Sequence, residues 1–459
     1  MNTKAISLGA STNRLTSLVN RRNWKMFVGY FALLVVPFLA TYTLDMNDKG
    51  AYISILGMLN IIAMMAFFVQ FPLGSRVRKL ALFANIDWSM SKHKTVGQWI
   101  GAFFLLHPIL ILAPRFQQAF TDGLTSVVEV ITAPQMLTGI LAWVAMVTWV
   151  LMAVFKNKLK MSYEMWRLTH LIGFVVIAVL ATLHITSVGS HGQFETQFNN
   201  LWWTLCGVSV FLVFYNSFVK KLRINATPFT LVSTEKVSSR DWQVTLKSQS
   251  DFDFEAGQFV WMNTSGSVFN MNEHPFSIAS CKKDLPNISM IIRELGDYTS
   301  SLDTLQVGQN VYIDGPYGSL SLAESDKSDA IALIAGGAGI GPMLSLLREL
   351  ASRNEQRPVR LIYGNGNYDQ MVLQDEIKSL EGTMNDFGQQ LVCVEESNLE
   401  GVHQGVIDKA CIGQTLHQAH TGDWTVYLCG PEAMISGVKK SLKQLNVPAS
   451  NVHYEQLSF

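Results

Sequence analysis

Apolar residues crowd the first half of the 459-residue chain. They form six stretches, at about 24–44, 51–72, 96–114, 134–155, 165–187 and 200–219. Each approaches the roughly 20 residues a helix needs to cross the hydrocarbon core of a bilayer. The first is too long for a cleaved signal peptide, and no small-residue cleavage site follows it. The pattern predicts a polar N-terminal segment over 1–22 and a six-helix transmembrane bundle over 23–222. Beyond it the period changes. Short alternating runs at Phe229–Ser233, Trp242–Lys247 and Gln258–Asn263 read as half-buried strands, punctuated by Pro228, Gly257 and the turn Gly315-Pro316-Tyr317-Gly318. They predict a small antiparallel β-barrel domain over 223–325. Over 326–459, apolar runs at Ala330–Ala335, Val359–Tyr363, Gln390–Val394 and Thr425–Cys429 alternate with helical stretches such as Pro342–Leu350. That alternation predicts an α/β Rossmann-like domain on a parallel sheet.

Charge sharpens the division. Residues 1–222 hold 18 of the 35 Lys and Arg but only 7 of the 35 Asp and Glu, so the halves carry +11 and −11. Charged residues are 15% of the chain, against about 25% in an average soluble protein. A disordered chain and an ordinary, highly charged soluble enzyme are excluded, and no strong basic run points to nucleic acid. Arg14, Arg21, Arg22, Lys25, Arg76, Arg78, Lys79, Lys92, Lys94, Lys156, Lys158, Lys160, Lys220, Lys221 and Arg223 fall on one set of loops. The positive-inside bias then puts both termini and the whole second half in the cytoplasm, with the bundle in the cell membrane. The five cysteines include no close pair, which speaks against a disulfide framework or a zinc site.

Four histidines form a pattern inside the bundle. His93 and His107 belong to the third stretch and its entry, His170 and His184 to the fifth, and each pair is 14 residues apart. Fourteen helical steps fall about 40° short of four full turns, so both members of a pair share a face, about 21 Å apart along the axis. The two stretches run in the same direction, which sets His93 level with His170 and His107 level with His184. A lone histidine in a span is commonly a packing residue. Two pairs at one spacing suit bis-axial ligation of two b-type haems between facing helices. A metal centre without porphyrin is excluded for all four together by the 21 Å offset, about ten times a metal–ligand bond. His191 and Arg115 lie on the outer side, where each reads as a solvated loop residue or as a neighbour of the outer haem.

In the second half, the turn Gly336-Gly337-Ala338-Gly339-Ile340-Gly341-Pro342 follows a strand and opens a helix. Small residues there admit a pyrophosphate to the backbone and to the helix N-terminus. Four further segments carry a resemblance: His274-Pro275-Phe276-Ser277-Ile278, Arg293-Glu294-Leu295-Gly296-Asp297-Tyr298-Thr299, Cys429-Gly430-Pro431 and the final Phe459. Taken in order with the glycine turn and the paired histidines, they resemble the ferric reductase and NADPH oxidase superfamily over about residues 24–459. The resemblance implies that His274, Pro275, Phe276, Ser277, Ile278, Arg293, Gly296 and Thr299 bind FAD. Ser277 would hydrogen-bond the isoalloxazine and Arg293 would pair with the flavin diphosphate. It implies that Gly336, Gly337, Gly339, Pro342, Cys429, Gly430 and Pro431 bind NAD(P)H, with Cys429 near the hydride-donating carbon and Phe459 covering the flavin ring.

The resemblance further implies a transmembrane oxidoreductase. Electrons would pass from cytoplasmic NAD(P)H through FAD and the haems to an outer acceptor, a ferric chelate or O2, the latter giving superoxide. A protein or quinone acceptor and a non-catalytic redox sensor remain as alternatives. Short, slightly acidic outer loops favour a small acceptor. No calcium-binding loop precedes the bundle, so the expectation is activity without an obligatory protein partner. No Arg or Lys stands at Gly364-Asn365-Gly366-Asn367 to meet a 2′-phosphate, which leans the reading toward NADH, with Arg353 and Arg360 as possible substitutes.

Overall fold

The computed structural model describes residues 27–35, 50–76, 86–155, 158–188, 196–395, 400–417 and 423–455. The chain divides into two compact units, Lys25–Lys221 and one that contains Leu222–Phe459.

The first unit is helical: α1 Ala51–Gly74, α2 Ile86–Gln118, α3 Phe120–Thr132, α4 Leu137–Phe155, α5 Tyr163–Val188 and α6 Thr196–Phe214. A π-helical segment, Tyr215–Val219, carries α6 into α7, Lys220–Ala226. Among the described residues, five helices are long and apolar enough to cross a membrane, at 51–74, 88–118, 134–155, 163–188 and 196–226. Of the first expected span, residues 27–35 are helical and the remainder lies outside the described residues.

Helix α2 starts at Ile86, well before the apolar stretch at 96. Ser89, Ser91, Lys92, His93 and Lys94 dilute the hydropathy but not the helix, so His93 sits within the helix rather than in a loop leading to it. Several hydroxyls in the spans bond back to their own helix, as Thr182 does to the Ala178 carbonyl at 2.7 Å, which satisfies them without water. Phe67, Phe68, Ile177, Ala178 and Trp202 form the bundle core.

The connection between α2 and α4 departs from the expected short loop. It is α3, with Phe120, Leu124, Val128 and Ile131 exposed on one face and Asp122 and Glu129 elsewhere. Gly123 is buried because the Phe116 ring occupies the space a side chain would take.

The second unit contains two sheets. The first joins β1 Phe229–Lys236, β2 Asp241–Ser248, β3 Phe259–Asn263, β4 His274–Ser277, β5 Asn287–Arg293 and β6 Asn310–Tyr317 in the order β4-β3-β6-β1-β2-β5. Its pairings are antiparallel, and an isolated bridge from Ile278 to Met290 links the two edges. The short helix α8, Asp297–Ser300, follows β5.

The second sheet is parallel, in the order β10-β9-β8-β7-β11-β12. Its strands are β7 Ala330–Gly336, β8 Val359–Asn365, β9 Phe387–Cys393, β10 Val402–Gln404, β11 Trp424–Cys429 and β12 Val452–Glu455. Helices α9 Ile340–Ser352, α10 Gln374–Glu381, α11 Lys409–His417 and α12 Glu432–Gln444 alternate with them. Every residue of β7 and of β11 is buried, the signature of a central parallel strand covered on both faces. Strand order reverses between β7 and β11, so the crevice at their carboxyl ends is the expected ligand position for such a sheet.

Candidate functional site: two histidine pairs and a nucleotide crevice

In the membrane unit, α2 and α5 bring His93 and His170 face to face, with ring centres 6.1 Å apart and planes 69° apart. One iron bound by two imidazoles at about 2 Å per bond would hold the ring centres about 6.3 Å apart, so the pair fits bis-axial ligation. On α5 itself, Trp166 and Phe174, one turn to either side, pack on His170 with centroids at 5.2 and 4.6 Å. At the other end of the helices His184 lies near His107. The Nδ1 of His107 stands 3.0 Å from Oδ1 of Asn60 on α1. The Nδ1 atoms of His93 and His184 are buried with no hydrogen bond of normal geometry.

Glycines make room around these rings. A Cβ at Gly139 would lie 2.5 Å from the His184 ring, and one at Gly74 would lie 3.3 Å from that of His93. Gly173 admits the Trp149 indole, whose Nε1 donates to the Thr169 carbonyl at 2.7 Å, next to His170. Small residues at such contacts are how membrane helices approach closely. His191 and Phe459 lie outside the described residues.

In the second unit, β4 carries His274, Pro275, Phe276 and Ser277, held by antiparallel pairing with β3. Ser277 is buried, and its hydroxyl has no hydrogen-bond partner. That is a costly state for a buried polar atom and marks a place for a bound polar group. Ile278 is fully buried in the sheet core. His274 lies against the Tyr298 ring at 4.0 Å, and burial pushes the Tyr298 hydroxyl up to about 12. Gly296, at φ 89°, begins α8 with open space where a side chain would stand. Thr299 accepts from the Leu295 amide at 2.6 Å and donates to the Gly296 carbonyl at 3.2 Å, which stiffens that turn.

The glycine turn joins β7 to α9 through a 3-10 segment, Gly337–Gly339, in which Gly337 has φ 54°. Its packing explains its composition. Any Cβ at Gly336 would meet Met434 and Pro431, and one at Gly339 would overlap the Cys429 carbonyl. Pairing of β7 with β11 sets Ala335 opposite Cys429. The two glycine-bearing segments therefore meet at the carboxyl ends of β7 and β11, with Pro342 buried in the first turn of α9. A Cβ at Gly341 would come within 3.5 Å of the Ser277 Cβ, so the β4 motif and the glycine turn share one crevice.

Arg293, at the end of β5, is held by both carboxylate oxygens of the buried Asp241 at 2.9 Å and donates to Asn365 at 3.0 Å. Its remaining nitrogen stands over Gly337. The guanidinium thus ties the first sheet to the glycine turn. Asp241 and Asn365 are partners that sequence reading missed, because each lies far along the chain and carries no motif.

Glu455 was missed as well. Buried at the end of β12, it accepts the Ser319 and Leu320 amides beyond β6, which pins the C-terminal strand to the first sheet. Neither Arg353 nor Arg360 reaches the crevice: Arg353 pairs with Glu349 near the far end of α9, and Arg360 pairs with Asp386 at the start of β8.

Three family models match in the order these features appear: the ferric reductase like transmembrane component over 56–181, an FAD-binding domain over 242–321 and the oxidoreductase NAD-binding domain over 333–440. Together they match the ferric reductase and NADPH oxidase-like superfamily, with a ferredoxin-reductase-like dehydrogenase portion. The models thus describe a ferric-reductase-like membrane portion, with five described helices long and apolar enough to span a bilayer, followed by domains of FAD-binding and NAD-binding type.

Among curated proteins it is similar to the propane 2-monooxygenase reductase component of Mycolicibacterium goodii, at 31% identity over 215 residues, 45% of this chain and 60% of that one. It is also similar to the toluate 1,2-dioxygenase electron transfer component of Pseudomonas putida, at 26% identity, covering 49% of this chain and 66% of that one. Among solved structures, the Amycolatopsis cytochrome P450 reductase GcoB aligns over 50% of this chain and 69% of its own, with 24% identity and a TM-score of 0.46. The chain thus spans about 60% of the length of the first curated relatives it matches.

Proposed function

We propose that the protein moves electrons across the cell membrane, from cytoplasmic NAD(P)H through FAD and two b-type haems to an acceptor on the outer face. The observation that carries this reading is the His93–His170 pair, whose 6.1 Å ring separation suits one iron between them. In this reading the first 222 residues form a six-span haem bundle, the next portion to about 325 a closed FAD-binding barrel, and the remainder the NAD(P) domain.

Flavin held here would supply the chemistry that links a two-electron nicotinamide donor to one-electron haem carriers. The chain's own residues bind and orient. Ser277 offers its unmet hydroxyl to the flavin, and the backbone around His274, Pro275, Phe276 and Ile278 lines it. Gly296 and Thr299 shape the turn for the flavin diphosphate. Gly336, Gly337 and Gly339 admit the dinucleotide pyrophosphate at the start of α9, while Cys429, Gly430 and Pro431 flank the nicotinamide. In this reading Phe459 is the ring that covers the flavin. His93 and His170 hold the inner haem, His107 and His184 the outer.

A ferric chelate or O2 is the preferred acceptor. A second reading, transfer to a protein, draws on relatives whose own names describe reductase or electron transfer components of oxygenases. Purified chain loaded with haem and FAD, given NADH under argon and then ferric citrate or air, separates the two. Continued NADH oxidation with either small acceptor supports the first. Haem reduction that then stalls supports the second. Haem that NADH with FAD never reduces removes both.

A further inference from the structure

We propose that Asn60 is the positioning residue for His107 and raises the donor strength of that imidazole toward its iron; this rests on reading the histidine pairs as haem ligands. Asn60 lies on α1, a helix that contributes none of the four histidines, 47 positions from its partner in sequence. The contact joins Asn60 Oδ1 to His107 Nδ1 at 3.0 Å, a normal hydrogen-bond length. A carboxamide oxygen only accepts, so Nδ1 carries the proton and donates it. The other nitrogen, Nε2, is then left with its lone pair, the form in which an imidazole binds a metal.

The surroundings make the contact informative. Between Ser54 and Gln70, Asn60 is the sole strongly polar side chain on α1, amid Gly57, Met58, Leu59, Ile61 and Ile62. A carboxamide is expensive to keep in a membrane span without a function to retain it. The other histidines are treated differently. His184, near His107, has a buried Nδ1 with no hydrogen bond of normal geometry, and the same holds for Nδ1 of His93. His170 is held by the rings of Trp166 and Phe174. Among the described residues, His107 is the one of the four whose ring nitrogen meets a side-chain partner on another helix.

Donation from Nδ1–H shifts electron density toward Nε2. A more basic imidazole stabilises ferric over ferrous iron, so the Asn60 contact lowers the midpoint potential of the outer haem relative to the same site without it. The effect belongs to one haem only, because the contact reaches one histidine.

The test uses the full chain, loaded with haem, as wild type, Asn60→Leu and Asn60→Gln, beside His107→Ala. Leu removes the acceptor while keeping the number and branching of heavy atoms, and Gln keeps a carboxamide on a longer stem. Optical redox titration and low-spin ferric EPR read each haem without turnover. With Asn60→Leu, one haem is expected to titrate at a higher potential with altered g-values, or to be lost selectively, and it is the haem that His107→Ala removes. The other haem keeps its wild-type signature, and Asn60→Gln falls between. Unchanged spectra and potentials in Asn60→Leu, or equal changes in both haems, overturn the proposal. A wild type without haem, or His107→Ala with both haems intact, sinks the ligand assignment instead.

Discussion

The membrane unit and the dehydrogenase unit use polar side chains in opposite ways. In the spans such groups are fewer, and two of their cross-helix contacts lie at the histidines: Asn60 with His107, and Trp149 with the carbonyl of Thr169 next to His170. In the dehydrogenase unit they are plentiful and mostly structural, as Arg348 with Glu376 and Arg360 with Asp386 illustrate. There the crevice is marked instead by absent side chains, at Gly336, Gly339 and Gly430. Lipid makes a polar residue costly, so one that persists signals a task. Water makes it cheap, so function is better read where backbone must come close.

The sharpest way to break this contrast is to remove a membrane histidine. His170→Ala or His93→Ala is expected to abolish reduction of any outer acceptor while NADH still bleaches the flavin, measured by stopped-flow absorbance. Persistent acceptor reduction would mean that the polar residue has no task. Next comes the strut between the sheets. Arg293→Met leaves the buried Asp241 carboxylate without its cation and is expected to destabilise the soluble unit by about 3–5 kcal/mol, read by thermal or urea unfolding. A loss under about 1 kcal/mol would show that this ion pair is replaceable.

A smaller effect is expected from Gly139→Ala, whose methyl group would press on the His184 ring. Overpacking of this kind costs about 1–3 kcal/mol, enough to deplete one haem while sparing the other, as pyridine haemochrome quantification would show. At the nucleotide crevice, Gly341→Ala, whose methyl group would meet Ser277 only at ordinary contact distance, is expected to weaken NADH binding about tenfold, near 1.4 kcal/mol, with the flavin content unchanged. The mildest is a null result: Arg353→Ala and Arg360→Ala should leave the ratio of NADH to NADPH activity where it was, since both side chains are paired away from the crevice.

Much of this was legible in the sequence for physical reasons. A span must be apolar for about 20 residues, so hydropathy locates it. Helical periodicity places residues 14 apart on one face, which set His93 level with His170 before any coordinates. The glycine turn between an apolar strand and a helix was equally plain. What stayed hidden depends on packing between distant segments. Nothing around Asn60 names His107, because their contact requires α1 to lie against α2. Arg293 stands out in the sequence as a flavin-diphosphate candidate, but its partners Asp241 and Asn365 do not, because pairing them requires distant segments to meet. Helix α3 was overlooked because its apolar residues are interrupted by Thr121, Asp122, Thr125, Ser126 and Glu129 and never form a span-length run.

Haem stoichiometry tests the central claim most directly. Purified wild-type chain should carry two b-type haems, both reduced by NADH in the presence of FAD, and His107→Ala or His184→Ala should each retain one. A wild-type chain that binds no haem, or variants that keep both, would contradict it.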